Sequence, residues 1–326
     1  MAIMRNLLYA KKRQALFQRT SLPVVALALI MGCTLLYGLY WLCKPKFLEY
    51  RQMAAVDASV MQTRVKIEAA WAENRYADII ADAGNILLLR PVDPAFLSMR
   101  GIAEFYHGMQ LEAGNDQLEL MQSAILDIRK ALIIGVQGQK PQLLYLLGKA
   151  YFHKDYNHYD AAIMFFNQAL SLGYESDDIW EYLAIMYREL GQLEKSISYF
   201  ELAVAINPEN MALLLSASKV FIQAGFSEKA LQYASQVMEQ TADQFLFEQA
   251  GLLLASIYLE QEDYAAGLAI LNTIKERDSN SADVWYYEGL IYQKMDDNLK
   301  ARAAWRKAVS IDPMHIDARM KLNERT

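Results

Sequence analysis

The sequence predicts an all-α chain, a solenoid of about six to seven helix-turn-helix repeats preceded by one transmembrane helix. Three observations predict it. An uncharged apolar run occupies Leu22 to Cys43. Downstream, a pattern of large apolar, small and aromatic residues returns at intervals near 34 residues. Strand-like alternation of apolar and polar residues is almost absent.

The first element is a basic tail, residues 1–21, expected on the cytoplasmic side. It carries Arg5, Lys11, Lys12, Arg13 and Arg19 and no acid, so the remaining residues stand at −11 within a whole-chain charge of −6. So acidic a body would repel phosphate, which argues against a nucleic-acid partner. The only cysteines, Cys33 and Cys43, lie in the apolar run. The rest of the chain therefore has no disulfide, no thiolate metal site and no cysteine nucleophile.

The second element is the run itself, residues 22–43. As a helix it would measure about 33 Å, enough to cross a hydrocarbon core of roughly 30 Å. Tyr37, Tyr40 and Trp41 gather at its far end, where an aromatic belt would sit, and Lys44, Pro45 and Lys46 are expected to stop it. A cleaved secretory signal has an apolar stretch of only about 7–15 residues and a small-residue cleavage site, which Leu39-Tyr40-Trp41 is not. Ile30-Met31-Gly32-Cys33 resembles a lipobox, but Thr34 to Leu42 stays apolar after the cysteine. The excess of basic residues before the span puts the N-terminus in the cytoplasm and the large domain outside it. With no Asn-X-Ser/Thr sequon in the chain, a periplasmic face of a bacterial inner membrane is the simplest expectation. Residues 44–59 are expected to form a lead-in helix, since Phe47 to Ala72 contain no strong breaker.

The third element is the repeat array, residues 60–313. Trp180, Leu183, Ala184 and Tyr187 fall at i, i+3, i+4 and i+7, one stripe of a first helix, followed by Gly191, Phe200, Ala203 and Pro208. Trp285, Gly289 and Tyr292, then Ala301, Trp305, Ala308 and Pro313, repeat the pattern. The small residue lets a second helix approach closely, and the proline punctuates the turn to the next repeat. Both stretches resemble the tetratricopeptide pattern, W-x2-L-G-x2-Y then A-x3-F with a closing proline. Copies in the same register open at Leu144, Leu214 and Gly251, with weaker ones at Thr63 and Leu97. The seven openings are separated by 34, 47, 36, 34, 37 and 34 residues, against a family period of 34. The gap of 47 predicts a longer loop or longer helices around Leu111 to Glu119. Residues 314–326 are expected to form a capping helix whose polar end carries Arg319, Lys321 and Arg325.

Candidate chemistry is sparse. Ser216-Ala217-Ser218-Lys219 fits S-x-x-K, but it lies within a helix and its K-T-G companion is missing. His153, Asp155, His158 and Asp160 have metal-ligating side chains, which read more simply as a solvated inter-helix loop. Gly135 to Lys140 is a helix-ending turn and not a phosphate loop, since no G-K-[ST] follows. No nucleophile–base–acid set is visible, so the expectation is a non-enzymatic protein without catalytic residues, metal or cofactor.

The resemblance implies a partner protein or peptide bound on the concave face, which the first helix of each repeat lines. Offset from the packing stripe, that face presents Tyr145, Lys149 and Phe152, then Glu181, Ile185 and Arg188. Lys219 and Ile222, Ser256 and Leu259, and Tyr286 and Leu290 continue it. Family members that clamp a C-terminal carboxylate use a cluster of Asn, Lys and Arg. Here three cations face Glu181 in a mostly apolar stripe, so an amphipathic or apolar segment is the expected ligand. The expected role is a membrane-anchored scaffold in an envelope, secretion or flagellar/pilus assembly. The alternatives are a self-associating structural component, a homo-oligomer, or a regulatory subunit of a membrane enzyme such as an envelope-biogenesis factor. Members that carry a metal module with paired Cys-x-x-Cys differ from this chain, which has no such cysteines.

Overall fold

A computed structural model describes residues 2–136, 138–277 and 280–324; the side chains of residues 2–26, 28, 43, 45, 47, 48 and 52 lie outside it. Every regular element among the described residues is helical. In chain order they are α1 (Ala2–Ala72), α2 (Tyr76–Leu89), α3 (Pro94–Gln110), α4 (Asn115–Ile134), α5 (Lys140–Lys154), α6 (Tyr159–Ser171), α7 (Ile179–Glu189) and α8 (Leu193–Ile206). There follow α9 (Met211–Gln223), α10 (Ser227–Gln240), α11 (Gln244–Glu260), α12 (Tyr264–Arg277), α13 (Ala282–Lys294), α14 (Asn298–Ile311) and α15 (Ile316–Asn323). A 3₁₀ turn, Tyr156–His158, joins α5 to α6.

The helices fall into two compact units, residues 1–100 and 101–326, with the boundary inside α3. In the first unit, α1 packs its C-terminal turns on α2 through Val60, Ile67 and Ala70, with Ile79, Ala83 and Ile86 opposite. An Arg90–Asp57 ion pair holds the far end of α2 against α1. The tail, the span and the lead-in, expected as separate pieces, are one 71-residue helix. Pro45 does not stop it. The proline removes one backbone donor, but no glycine, asparagine or aspartate follows it before Asp57 to cap a helix end. Among the described residues no helix is long and apolar enough to cross a membrane. The side chains of residues 22–26, 28 and 43, part of the expected span, lie outside the description.

The second unit stacks helix pairs: α5 on α6, α7 on α8, α9 on α10, α11 on α12 and α13 on α14, with α4 packed on α5 and α15 on α14. The small residue of the pattern explains why the pairs are tight. A Cβ on Gly148 would come 2.9 Å from the Phe166 ring, and one on Gly289 would come 2.2 Å from Trp305 Nε1. Ala184 meets Phe200 in the same way, and Ser196 Oγ donates to the Ala184 carbonyl at 2.8 Å. On the outer side a lysine from a second helix lies over the aromatic residue closing the first-helix stripe. Lys195 sits over Tyr187, Lys229 over Phe221 and Lys300 over Tyr292, at 4.9, 5.3 and 5.3 Å.

First helices also pack on one another, α5 on α7, α9 on α11 and α11 on α13. They form an inner layer in two stretches, α5–α7 and α9–α11–α13, joined through α8 packed on α9; this layer is the one expected to carry the partner site. The gap of 47 resolves into a long α4 of 20 residues and a link through Gly135 and Gly138; the break after α3 is short. At the C-terminus α15 buries Ala318, packs Leu322, and is fastened by Arg302 to the Leu322 carbonyl. The expected polar end is only partly polar, because Met314, Ile316 and Met320 are exposed; Arg325 lies outside the described residues.

Candidate interaction face

The inner layer begins at α5 and α7, where it is most polar. Tyr145 is buried, and its hydroxyl donates to Asp178, 2.6 and 2.7 Å from the two carboxylate oxygens. Lys149 Nζ pairs with the same carboxylate at 2.9 Å and stands over the rings of Phe105, Tyr145 and Tyr182 at 5.9, 5.3 and 5.0 Å. Burial alone would raise the Asp178 carboxyl. Hydrogen bonds from Ser176, Tyr145 and Lys149 together hold it below its ordinary value. Tyr145 and Lys149, expected to meet a partner, are thus committed to joining one repeat to the next.

Beside them lies an aromatic cluster. Phe152 is half-buried, stacks on Tyr159 with ring centroids 5.3 Å apart, and meets Tyr182 edge-on at 4.8 Å. His153 sits among Phe105, Phe152 and Tyr182. Burial, helped by the Lys149 charge, lowers its pKa to about 4. The neighbouring loop is self-contained. His158 Nδ1 and Asp155 lie 2.8 Å apart, and Asp155 accepts from the Asn157 amide. Among the described residues no group of three or more His, Cys, Asp or Glu side chains is placed to hold a metal.

On α7, Glu181 is half-buried; burial raises its carboxyl, and the nearby Asp178 charge adds to this. Ile185 is half-buried, and Arg188 is tied to Glu189 at 2.5 Å. Further along, Lys219 reaches Gln249 at 3.4 Å. Ile222 packs at the edge of the α9 cluster and Leu259 at the edge of the α11 cluster. Ser256 donates to its own helix, at the Leu253 carbonyl. Tyr286 packs against His315 with ring centroids 5.1 Å apart and planes tilted by 43°, and Leu290 leans on the cluster around Trp305. The expected stripe therefore divides. Tyr145, Lys149, Arg188 and Ser256 are engaged within the array. Glu181, Ile185, Ile222, Leu259 and Leu290 form a half-exposed, mainly apolar strip with one carboxylate. In the S-x-x-K stretch the motif serine is Ser216, which is half-buried on α9, while Ser218 is buried and donates to the Leu214 carbonyl.

Sequence reasoning missed the pair of half-buried Lys275 with buried Glu288, 2.9 Å across α12 and α13, with Lys275 4.6 Å over the Trp285 ring. Glu288 occupies the position before the small residue, where the family pattern has leucine. That departure was the available signal.

Residues 193–324 match the tetratricopeptide repeat-like domain family. Among curated proteins, the chain is 23% identical over 223 residues to tetratricopeptide repeat protein 8 of Caenorhabditis elegans, covering 68% of this chain and 43% of that one. It is 23% identical over 184 residues to a BBSome complex member BBS4 homolog of Drosophila melanogaster, covering 56% and 37%. The chain thus spans less than half the length of either relative. Among solved structures, the C-terminal part of a TPR repeat-containing protein from Cytophaga hutchinsonii superposes with a TM-score of 0.61 at 16% identity, over 79% of this chain and 99% of that one. PilF of Pseudomonas aeruginosa gives 0.50 at 14% identity, over 69% and 97%. Residues 193–324 are thus similar in sequence to the tetratricopeptide repeat-like domain family, and over most of its length the chain has the all-helical fold of tetratricopeptide repeat structures.

Proposed function

We propose that the chain is a non-enzymatic scaffold, held to the cytoplasmic membrane by residues 22–43 with its array on the outer, periplasmic side. There it binds an amphipathic or apolar segment of a partner protein. One observation carries the membrane part. From Leu27 to Leu42, large apolar side chains of α1 are exposed, Leu36 at 68% and Leu42 at 75% among them. An exposed apolar helix surface of that extent is unstable in water and needs lipid or another apolar body around it. The uncharged residues 22–26 lengthen the run, and the five basic residues before it set the orientation. The partner part is supported by the strip Ile185, Ile222, Leu259 and Leu290, which remains accessible once the internal pairs are formed. In an envelope, secretion or pilus assembly such a strip would hold one component near the bilayer.

The test is crosslinking and capture from native membranes, comparing the parent chain with Ile222→Asp, Leu259→Asp. We expect the chain to stay in the membrane fraction after alkaline extraction. We expect a partner set captured by the parent and lost from the folded variant. Release by alkali would remove the anchor; capture that ignores both substitutions would remove this face as the binding site.

A further inference from the structure

The irregular repeat builds a second surface. α4 runs for 20 residues, whereas α6, α8, α10, α12 and α14 have 13 or 14. Along its length Leu126, Arg129, Lys130 and Ile133 fall at i, i+3, i+4 and i+7, one stripe, and all four are exposed. Ile133 is 82% exposed, which is unusual for an ordered isoleucine. Between α4 and α6 a groove of about 280 Å³ opens over α5. Its floor is Leu144 and Leu147, its far wall Phe165 and Gln168, and its near wall Leu132 and Ile133. It uses a different stripe of α5 from Tyr145, Lys149 and Phe152.

The charge of this groove singles it out. Arg129 and Lys140 stand at its rim, and no carboxylate lines it, although the body of the chain is strongly acidic. Arg129 gives one hydrogen bond to the Tyr151 hydroxyl at 3.3 Å and keeps further donors for a ligand. The space is below the roughly 300–1,000 Å³ of small-molecule pockets, but it accepts one or two large side chains from a helix laid along α4. Apolar floor and basic rim together complement a helix with a leucine-type face and acidic flanks.

We propose that this groove docks an acidic amphipathic helix of a partner protein, its apolar side chains over Leu144, Leu147 and Phe165 and its carboxylates on Arg129 and Lys140. The inference extends the scaffold reading to a second face and is tested independently of it.

The experiment titrates the full chain in detergent micelles into a fluorescein-labelled 15-residue Glu/Ala peptide with leucines at i, i+3, i+4 and i+7. Anisotropy should report saturable binding. Lys140→Glu together with Ile133→Glu should weaken it at least tenfold, while Ile222→Asp with Leu259→Asp leaves it within twofold. A peptide with lysine in place of glutamate should bind at least tenfold more weakly, and raising salt should weaken the acidic peptide several-fold. A benzophenone side chain at Gln168 should crosslink the acidic peptide. Both altered rim residues are exposed, and an unchanged helical circular dichroism spectrum verifies the fold. Absent or non-saturable binding, binding indifferent to the rim variant, or binding lost only in the inner-face variant overturns the proposal. Loss of partner capture in membranes with this peptide binding intact would instead count against the inner-face reading alone.

Discussion

Residues 27–42 of α1 and the pair α7/α8 draw on the same side chains and treat them in opposite ways. In α1, Leu35, Leu36, Tyr40 and Trp41 are all more than half exposed. In the pair, Leu183 and Phe200 are fully buried, and Tyr187 nearly so. The difference is not in hydrophobicity but in what lies opposite. Each first helix of the array carries a small residue that admits a second helix, and each pair leans on the next. Among the described residues of the first unit nothing covers residues 27–42, so the covering has to come from outside that unit. The contrast is sharpened most by removing a large apolar group from each region. Phe200→Ala should cost the array about 3–5 kcal/mol, whereas Leu36→Ala should leave its stability within about 0.5 kcal/mol. Because a solenoid loses cooperativity along its length, hydrogen exchange is the suitable readout. Protection should fall in α7 to α9 for Phe200→Ala and stay unchanged for Leu36→Ala. Equal losses would mean that the exposed run packs on the array.

A second contrast lies within the array, between the titratable inner layer at α5/α7 and the largely apolar layer at α9/α11. His153 is held neutral, its pKa lowered to about 4 from an ordinary 6.5. The unfolded chain therefore takes up a proton as pH falls through about 6.5 while the folded chain resists until about 4. The stability this provides is present above that window and is lost across it, roughly 2–3 kcal/mol in all. Below the window Asp178, whose carboxyl is depressed, begins to lose its own contribution. Glu181, whose carboxyl is raised, acts in the opposite sense and partly offsets the loss. Hydrogen exchange at pH 7 and pH 5 should show α5 and α7 loosening on acidification while α9 and α11 do not. His153→Phe should flatten that response; a His153→Phe chain that still loosens would place the proton elsewhere.

Much of the array was legible because its pattern is a packing code. All seven openings from Thr63 to Trp285 fall on helices that pair with the next, and Gly148, Ala184 and Gly289 sit where a neighbour presses closest. The face was legible only as a stripe. Periodicity says that Tyr145 and Lys149 point inward, but not that Asp178, one repeat on, lies within reach of both and engages them. The single α1 was missed because Pro45 was read as a stop, although a proline removes only one backbone hydrogen bond from a helix that here continues past it. The length of α4 was visible as a gap of 47, but its basic, apolar groove needed α6 beside it.

The smallest contrast concerns how helices end. After α6, α7 and α9 the chain turns through a glycine with positive φ, at Gly173, Gly191 and Gly225. The amide that follows returns to the carbonyl of the last helical turn, for example Gln192 to Tyr187 at 2.8 Å. After α11 and α13 the same turn is made by Glu262 and Asp296, with φ of 62° and 60°, and the returning bonds, Asp263 to Tyr258 and Asp297 to Tyr292, are both 2.9 Å. A side chain with a Cβ is disfavoured in that conformation, and glycine is not. Replacing Glu262 or Asp296 with glycine should therefore stabilise the local repeat by about 0.5–1 kcal/mol, even though it removes a side chain. The same exchange at Glu194, in the first turn of α8, should destabilise by about 1 kcal/mol, because there glycine only adds freedom to the unfolded chain. Opposite signs for the two substitutions, read as protection of α11 to α14 against that of α8, would establish that strain at the turn outweighs the entropy of glycine. Destabilisation by both would mean that the two acidic side chains contribute more at their turns than the left-handed backbone costs.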